Sequence, residues 1–189
     1  MTAATANTAP NRRIMLVMLV VTLAPVLISS LLYFFWKPQG GHSYGELLQT
    51  KPVPAFAMTA ADGKPAALGD FKGKWLLLAV DDAACAQACL DALHALRQIR
   101  VAQGADMERI RRVWLVADGA APTPAATTAA DGADIRLVHG AIPLPGDLRS
   151  GIYLIDPLGN QVMRYGREQD HGKVIKEINR ILKNNEALG

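Results

Sequence analysis

The stretch 75–96 constrains the fold more than any other part of the chain. It reads WLLLAVDDAACAQACLDALHAL, in which an apolar run with the length of a buried strand is followed by two aspartates. A segment with helical spacing then begins, in which Leu90, Leu93 and Leu96 recur at intervals of three. The sequence therefore predicts a buried strand that passes directly into a helix.

Both cysteines of the protein lie at this junction. Cys85 and Cys89 are four residues apart, which on a helix places them on one face, so their sulfurs are expected to approach each other. Two thiols at such a junction indicate redox chemistry or the binding of a soft metal ion. The preceding Asp81 and Asp82 either raise the pKa of the thiols or, as the favoured interpretation, cap the helix start and face solvent.

A second feature is the apolar segment 14–36, which contains no charged residue and is long enough to cross the hydrocarbon core of a bilayer as a helix. It is too long for the core of a cleaved signal peptide, and no small-residue cleavage site follows it. Arg12 and Arg13 precede it, so the positive-inside rule predicts a cytoplasmic N-terminus. We expect a single-pass protein of the inner (cytoplasmic) membrane whose C-terminal domain is periplasmic, where two cysteines can cycle between dithiol and disulfide.

The remaining sequence predicts one domain. We expect a cytoplasmic tail at 1–13, the transmembrane anchor at 14–36, a tether at 37–54 and the domain at 55–189. Strands that alternate with a helix and close in an antiparallel hairpin indicate an α/β fold with a mixed sheet flanked by helices. The individual elements are strands at 56–59, 66–68, 75–80, 113–117, 135–138, 151–155 and 161–165, helices ending near 102 and spanning 171–184, and a long surface loop at 118–134.

The sequence lacks the motifs that are typical of several classes of protein function. The net charge of +3 is dispersed, and no basic face carries interleaved aromatic residues, so nucleic-acid binding is not expected. Paired carboxylates, zinc-ligand spacing, a phosphate-binding glycine loop and a Ser/His/Asp set are all missing from the sequence. Hydrolase and kinase functions therefore have no support.

The order of elements resembles a thioredoxin-like fold, and the sequence most resembles the Sco/SenC family. The resemblance is carried by FKGKWLLL at 71–78, by the three-residue spacing in CAQAC at 85–89, by IYLIDPLGN at 152–160 and by the single N-terminal anchor. It implies a membrane-anchored protein that assists cytochrome c oxidase assembly, by Cu(I) delivery or by thiol–disulfide exchange. The implied partner is a cytochrome c oxidase subunit or another assembly factor.

The sequence departs from this family at three places, so it resembles a divergent member. Leu90 replaces the proline that usually follows the second cysteine, and Arg149-Ser150 occupies the region in which thioredoxins have a cis-proline. Leu148 stands where the family has its histidine copper ligand, and leucine cannot bind a metal. A Cu(I) site would then use Cys85 and Cys89, with His139 as the replacement third ligand.

Besides Cu(I) binding, three interpretations of the cysteines remain open at this point. In a thiol–disulfide oxidoreductase, Cys85 is the exposed nucleophile and Cys89 is the resolving thiol. A permanent disulfide or two inert buried thiols would make the pair structural. The alternative to turnover or metal binding is a non-catalytic thioredoxin-like interaction or scaffold module in a membrane complex. Of the other histidines, His94 and His171 are expected to be polar helix residues.

Overall fold

The computed structural model describes residues 12–35 and 43–186, which belong to two compact units divided after residue 42. The first unit contains helix α1 (Arg12–Phe35). Its segment Arg12–Leu32 has a mean hydropathy of 2.6 and, by length and composition, suits a membrane span. The predicted N-terminal apolar helix is therefore confirmed. Two predicted segments lie outside the described residues: the expected cytoplasmic tail up to residue 11, and 36–42, which includes Trp36 and the start of the expected tether.

The second unit alternates strands and helices in the predicted manner. Its helices lie on a sheet, and the late hairpin leads into the last helix. The strands are β1 (Glu46–Pro52), β2 (Met58–Ala60), β3 (Pro65–Ala66), β4 (Trp75–Asp81), β5 (Ile110–Val116), β6 (Asp134–Val138), β7 (Gly151–Ile155) and β8 (Asn160–Gly166), and the helices are α2 (Gln87–Val101), α3 (Pro124–Ala130) and α4 (His171–Asn184).

In the described residues, all eight strands form one sheet in the order β1-β8-β7-β4-β5-β6-β2-β3. β4 pairs in parallel with β5 and antiparallel with β7, and β5 pairs in parallel with β6. The sheet is thus mixed, as predicted. Both faces of β4 are covered, so its residues 75–80 are all buried, which explains their continuous apolar character. Parallel strands end at one edge, so the residues after β4, β5 and β6 meet there.

The sheet separates two hydrophobic cores. On one face, α2 and α4 pack with Leu93, Leu96 and Ile178 against Leu77 and Trp114. On the other face lies a second core, formed by Leu48, Phe71, Leu76, Leu78, Val80, Val113, Leu115, Val138, Leu144, Tyr153 and Ile155. Both cysteines belong to the core beneath α2 and α4. The thioredoxin-like mixed sheet flanked by helices is therefore confirmed, and it holds the cysteines on the α2 side.

The structure differs from the prediction within the segment expected to be a tether. Strand β1 lies inside it and pairs antiparallel with β8, with Leu47 opposite Met163 and Lys51 opposite Gln161. Residues 46–52 are therefore an edge strand of the sheet, which corrects the prediction for that part of 37–54. Only Leu48 of β1 is buried, so the strand has no apolar alternation that a sequence pattern would detect.

A second difference concerns the expected loop 118–134, which contains helix α3. Thr123 caps this helix by accepting the N–H of Ala126 at 3.2 Å, and Pro124 is its first residue. Ala126 and Ala130 lie four residues apart on one helical face and are buried against the first core. The prediction of one long loop is therefore wrong for 124–130, where small Ala and Thr residues form a short helix that packs closely.

Candidate functional site

The two cysteines are covalently joined at the end of β4. A disulfide links Cys85 to Cys89 with their Cα atoms 5.1 Å apart, within the usual range for such a bond. Both residues are buried, with exposed fractions of 5% for Cys85 and 2% for Cys89. The expectation that the two sulfurs approach each other is confirmed.

The way in which the sulfurs meet differs from the expected helical face. Helix α2 begins at Gln87, so Cys85 lies outside it and only Cys89 lies in its first turn. Cys85 has φ +42°, in the left-handed region that non-glycine residues seldom occupy, and its N–H bonds to the carbonyl of Asp82 at 3.1 Å. A tight turn before the helix therefore directs Cys85 back toward Cys89. Such a backbone conformation persists only where its surroundings determine it, and it is typical of functional loops.

The start of α2 lacks a side-chain cap. The N-cap residue is Ala86, whose carbonyl accepts the N–H groups of Cys89 at 2.8 Å and Leu90 at 3.1 Å. The prediction that Asp81 and Asp82 cap this helix is wrong, because both precede the turn that leads to Ala86. The uncapped N–H groups leave the positive end of the helix dipole beside Cys89, which favours a thiolate once the disulfide is reduced.

Two arginines bind these aspartates instead. Arg167 donates to Asp81 at 2.8 Å, and both side chains are largely buried, at 13% and 16% exposed. Arg149 donates to Asp82 at 2.7 Å, at 59% and 32% exposed. Arg149 thus occupies the region of the missing cis-proline and reaches back to the loop before the cysteines.

A third carboxylate holds the turn itself. Asp118 follows β5 and accepts the N–H of Ala83, 3.2 Å from one oxygen and 3.3 Å from the other. Ala83 is buried and lies two residues before Cys85. Sequence reasoning missed this residue, although an acidic residue directly after the strand beside β4 was a usable signal.

The third predicted metal ligand, His139, is held at another part of the sheet edge. Its backbone N–H bonds to the carbonyl of Ala57 at 2.9 Å, and its ring Nε2 lies 3.0 Å from the hydroxyl oxygen of Thr59. Within residues 12–35 and 43–186, no group of three His, Cys, Asp or Glu residues is arranged to hold a metal ion. The structure therefore brings Cys85 and Cys89 together but does not group His139 with them.

The other positions considered for a third copper ligand are Leu148, His94 and His171. None of them forms a three-ligand site with the cysteines in the described residues. Leu148 belongs to a short 3-10 helix, Leu148–Ser150, and packs against the core on the sheet face opposite the cysteines. The ring of His94 lies 2.7 Å from Gln98 on α2, and His171 is the first residue of α4. In the described part of the chain, the metal donors at the cysteines are the two sulfur atoms. A two-cysteine, one-histidine copper site also needs a histidine nitrogen, so the two do not match.

A cleft of about 440 Å³ lies beside the cysteine-bearing turn of α2. Its walls come from α2, from β7 and the segment before it, and from the loop between β8 and α4 with the first residue of α4. Its lining includes Ala88, Asp91, Arg149, Arg167 and His171. Ala88 precedes Cys89 in the first turn of α2, so the cleft reaches the turn that carries Cys89, and its walls are both polar and apolar.

Comparison with known proteins gives a family assignment. The model of the transmembrane-like, thioredoxin-like, C-terminal domain matches residues 75–185, which run from β4 beyond the end of α4. This range contains both cysteines and the cleft. No curated protein matches the chain.

Solved structures give the same fold. Yeast Sco1 with copper bound is 18% identical, with 72% of this chain and 95% of that chain covered at a TM-score of 0.57. Apo Sco1 from Thermus thermophilus is 20% identical, with 77% and 98% covered at 0.56. BsSco, described as a member of the Sco family of cytochrome c oxidase assembly proteins with a disulfide switch, is 15% identical, with 78% and 100% covered at 0.53. The predicted resemblance to Sco/SenC proteins is thus confirmed at the level of the fold.

Proposed function

The chain belongs to the transmembrane-like, thioredoxin-like family, and from this premise we propose that it is a membrane-anchored thiol–disulfide exchange protein. The observation that carries the proposal is the Cys85–Cys89 disulfide at the N-terminus of α2, on a thioredoxin-like sheet. Exchange requires two cysteines that close into a disulfide and a setting that favours the thiolate. The described residues offer both without a metal.

The proposed step uses Cys85 as the nucleophile. In the reduced protein, the Cys85 thiolate attacks a disulfide of the partner, and a mixed disulfide forms while one partner thiolate leaves. The Cys89 thiolate then attacks the Cys85 sulfur, and the second partner thiolate leaves. The chain loses two electrons and forms its own disulfide, while the partner gains them and two protons; a separate dithiol reductant restores the chain. We assign the first role to Cys85 because it lies outside the helix. The prediction that Cys85 is exposed is wrong, since only 5% of it is accessible in the disulfide form, so the cysteine turn must open for the attack.

We place the domain on the periplasmic side of the inner membrane. Arg12 and Arg13 precede the apolar helix, which favours a cytoplasmic N-terminus and a single pass. In that compartment, free thiols of other proteins are prone to oxidation, so a membrane-anchored reductant would serve to keep them reduced.

The proposed partner is a cytochrome c oxidase subunit or another assembly factor whose copper-ligand thiols must remain reduced. Support comes from the fold shared with BsSco, which is described as a cytochrome c oxidase assembly protein with a disulfide switch. The hypothesis that competes with thiol–disulfide exchange is that the protein is a scaffold module without turnover and that its disulfide is permanent.

Trapping of a mixed disulfide tests the exchange. The full-length chain in detergent micelles, as the reduced Cys89→Ala variant, is mixed with a peptide disulfide, and the adduct is read by mass spectrometry. We expect Cys89→Ala to accumulate the adduct at Cys85, and the matched Cys85→Ala variant to form little of it. If the wild-type disulfide resists both glutathione and dithiothreitol in the folded protein, exchange is not the function.

Cu(I) delivery is the second candidate, since yeast Sco1 with copper bound has the same fold and two thiolates suit Cu(I). Copper would then be cargo, bound by Cys85 and Cys89; His139 could act as a third ligand only if its ring left Thr59. Competition with a chromophoric Cu(I) chelator on the reduced protein decides between two and three ligands. We expect Cys85→Ala to abolish binding and His139→Ala to change the affinity less than about threefold, because His139 is held by Thr59. A loss of tenfold or more in His139→Ala would make copper delivery the leading function.

A further inference from the structure

A buried pair of opposite charges lies immediately before the cysteine turn. Asp81 is the last residue of β4, four positions before Cys85, and its carboxylate binds the guanidinium of Arg167. Both side chains are more than four-fifths buried, whereas the neighbouring Asp82–Arg149 pair is far more exposed. The two pairs therefore differ in how strongly solvent screens their charges.

Arg167 is fixed in place by a second bond. Its other terminal nitrogen donates to the carbonyl of Val80 at 2.8 Å, so the guanidinium spans the end of β4. It also lines the cleft together with Ala88, the residue before Cys89. The guanidinium thus lies between the end of the central strand and the first turn of α2, the helix that carries Cys89.

We propose, building on the exchange function above, that Asp81 and Arg167 set the reduction potential of the Cys85–Cys89 pair through opposite electrostatic effects. Reduction adds two electrons to the disulfide and creates negative charge on sulfur wherever a thiol is ionised. A nearby positive charge stabilises that product, and a nearby negative charge destabilises it. Both are positioning residues, since they act on the cysteine pair and do not contact the partner's sulfur.

The proposal predicts opposite signs for two charge removals. Asp81→Asn leaves the positive charge of Arg167 unbalanced, so the dithiol form is favoured. Arg167→Gln leaves the Asp81 carboxylate without its partner, so the disulfide form is favoured. A role in folding alone would not move the equilibrium in opposite directions according to the sign of the charge that is removed.

The experiment measures the equilibrium of the full-length chain in detergent micelles with glutathione at pH 7. The reduced fraction is read by alkylation with a maleimide that adds mass. We expect the equilibrium constant for reduction to rise threefold to tenfold in Asp81→Asn and to fall by a similar factor in Arg167→Gln, a shift of about 14 to 30 mV in each direction. Arg167→Lys keeps the charge and should remain within about twofold of the wild type.

A matched control comes from the exposed pair. Arg149→Gln removes the same charge from a solvent-screened position, so we expect a change of less than about twofold. Shifts in the same direction for Asp81→Asn and Arg167→Gln, or no shift in either while the wild type cycles, would overturn this inference and leave the exchange function standing. A wild-type disulfide that no thiol reduces would overturn both. If Arg167→Gln does not fold, the direction of the shift in Asp81→Asn still decides, with Arg167→Lys as the variant that keeps the charge: a shift of Asp81→Asn toward the disulfide, or no shift, would overturn the inference.

Discussion

The carboxylate of Asp118 accepts the backbone N–H of Ala83 with both of its oxygens and so joins the end of β5 to the cysteine turn. The two residues are 35 positions apart in sequence. Through this contact, the strand beside β4 determines the path of the backbone two residues before Cys85, although Asp118 itself is exposed.

Asp118→Ala should therefore destabilise the cysteine turn. Loss of the acceptor leaves the buried Ala83 N–H without this bond, so we expect the free energy of unfolding of residues 43–189 to fall by about 1 kcal/mol in urea denaturation. Asp118→Asn keeps one oxygen and should lose less. Asp62→Ala, at an exposed turn, is the control and should change the free energy by less than about 0.5 kcal/mol. Equal effects of Asp118→Ala and the control would refute a role for this contact.

Reduction of the disulfide should leave the domain folded. The bond closes a loop of about five residues, for which the chain-entropy relation gives about 2 kcal/mol. Both cores also contain many buried residues that are not joined by this bond. We expect the free energy of unfolding with dithiothreitol to be lower by no more than that amount, while the Cys85→Ala/Cys89→Ala variant shows no response to dithiothreitol. Global unfolding on reduction would identify the disulfide as structural and would count against exchange.

Glu177 should stabilise the junction at which the chain enters the domain. This buried carboxylate of α4 accepts hydrogen bonds from the hydroxyl of Ser43 and from the backbone N–H groups of Tyr44 and Gly45. In Glu177→Ala these donors lose their acceptor, and we expect a loss of about 1–3 kcal/mol of unfolding free energy. Limited proteolysis near residue 43 should become faster at the same time.

Two variants control this experiment. Glu177→Gln keeps one side-chain oxygen and should lie between the wild type and Glu177→Ala. Glu108→Ala removes an exposed carboxylate that pairs with Arg100, so it should have an effect close to zero. Unchanged proteolysis in Glu177→Ala would show that Ser43–Gly45 is held by other contacts, such as the bond from the backbone N–H of Asp170 to the Tyr44 hydroxyl.

Tyr165 should make the domain sensitive to alkaline pH. Burial, with a smaller contribution from the charge of Glu177, raises the pKa of Tyr165 well above its ordinary value. In the unfolded chain the phenol loses its proton near pH 10, so the unfolded state gains stability above that pH while the folded state keeps the proton. The contribution of Tyr165 is thus complete below about pH 9 and should fall by about 1.4 kcal/mol between pH 9 and pH 11.

The measurement compares the wild type with Tyr165→Phe in urea denaturation from pH 7 to pH 11. The difference in unfolding free energy should be constant up to about pH 9 and should then shift in favour of Tyr165→Phe by that amount. A difference that stays constant to pH 11 would show that Tyr165 ionises in the folded domain as easily as in the unfolded chain.

The sequence by itself determined the elements whose signal is local. The apolar run of β4, the helical spacing of α2 and α4 and the turn between β7 and β8 each reside in consecutive residues, so their positions were predicted within a few residues. The apolar N-terminal helix and the proximity of Cys85 and Cys89 were likewise predicted from residues that are close together in the sequence. Strand β1 was missed because an edge strand with one buried residue has no periodic pattern.

Only the tertiary structure decided what surrounds the sulfurs. Arg167 meets Asp81 across 86 positions of sequence, and Arg149 meets Asp82 across 67, because β4, β7 and the loop after β8 converge at one edge of the sheet. Leu148 packs against the opposite core, and the pairing of β6 with β2 brings His139 to Thr59. Spacing along the chain identified the two cysteines, but the charges that act on them depend on strand order, which no local pattern encodes.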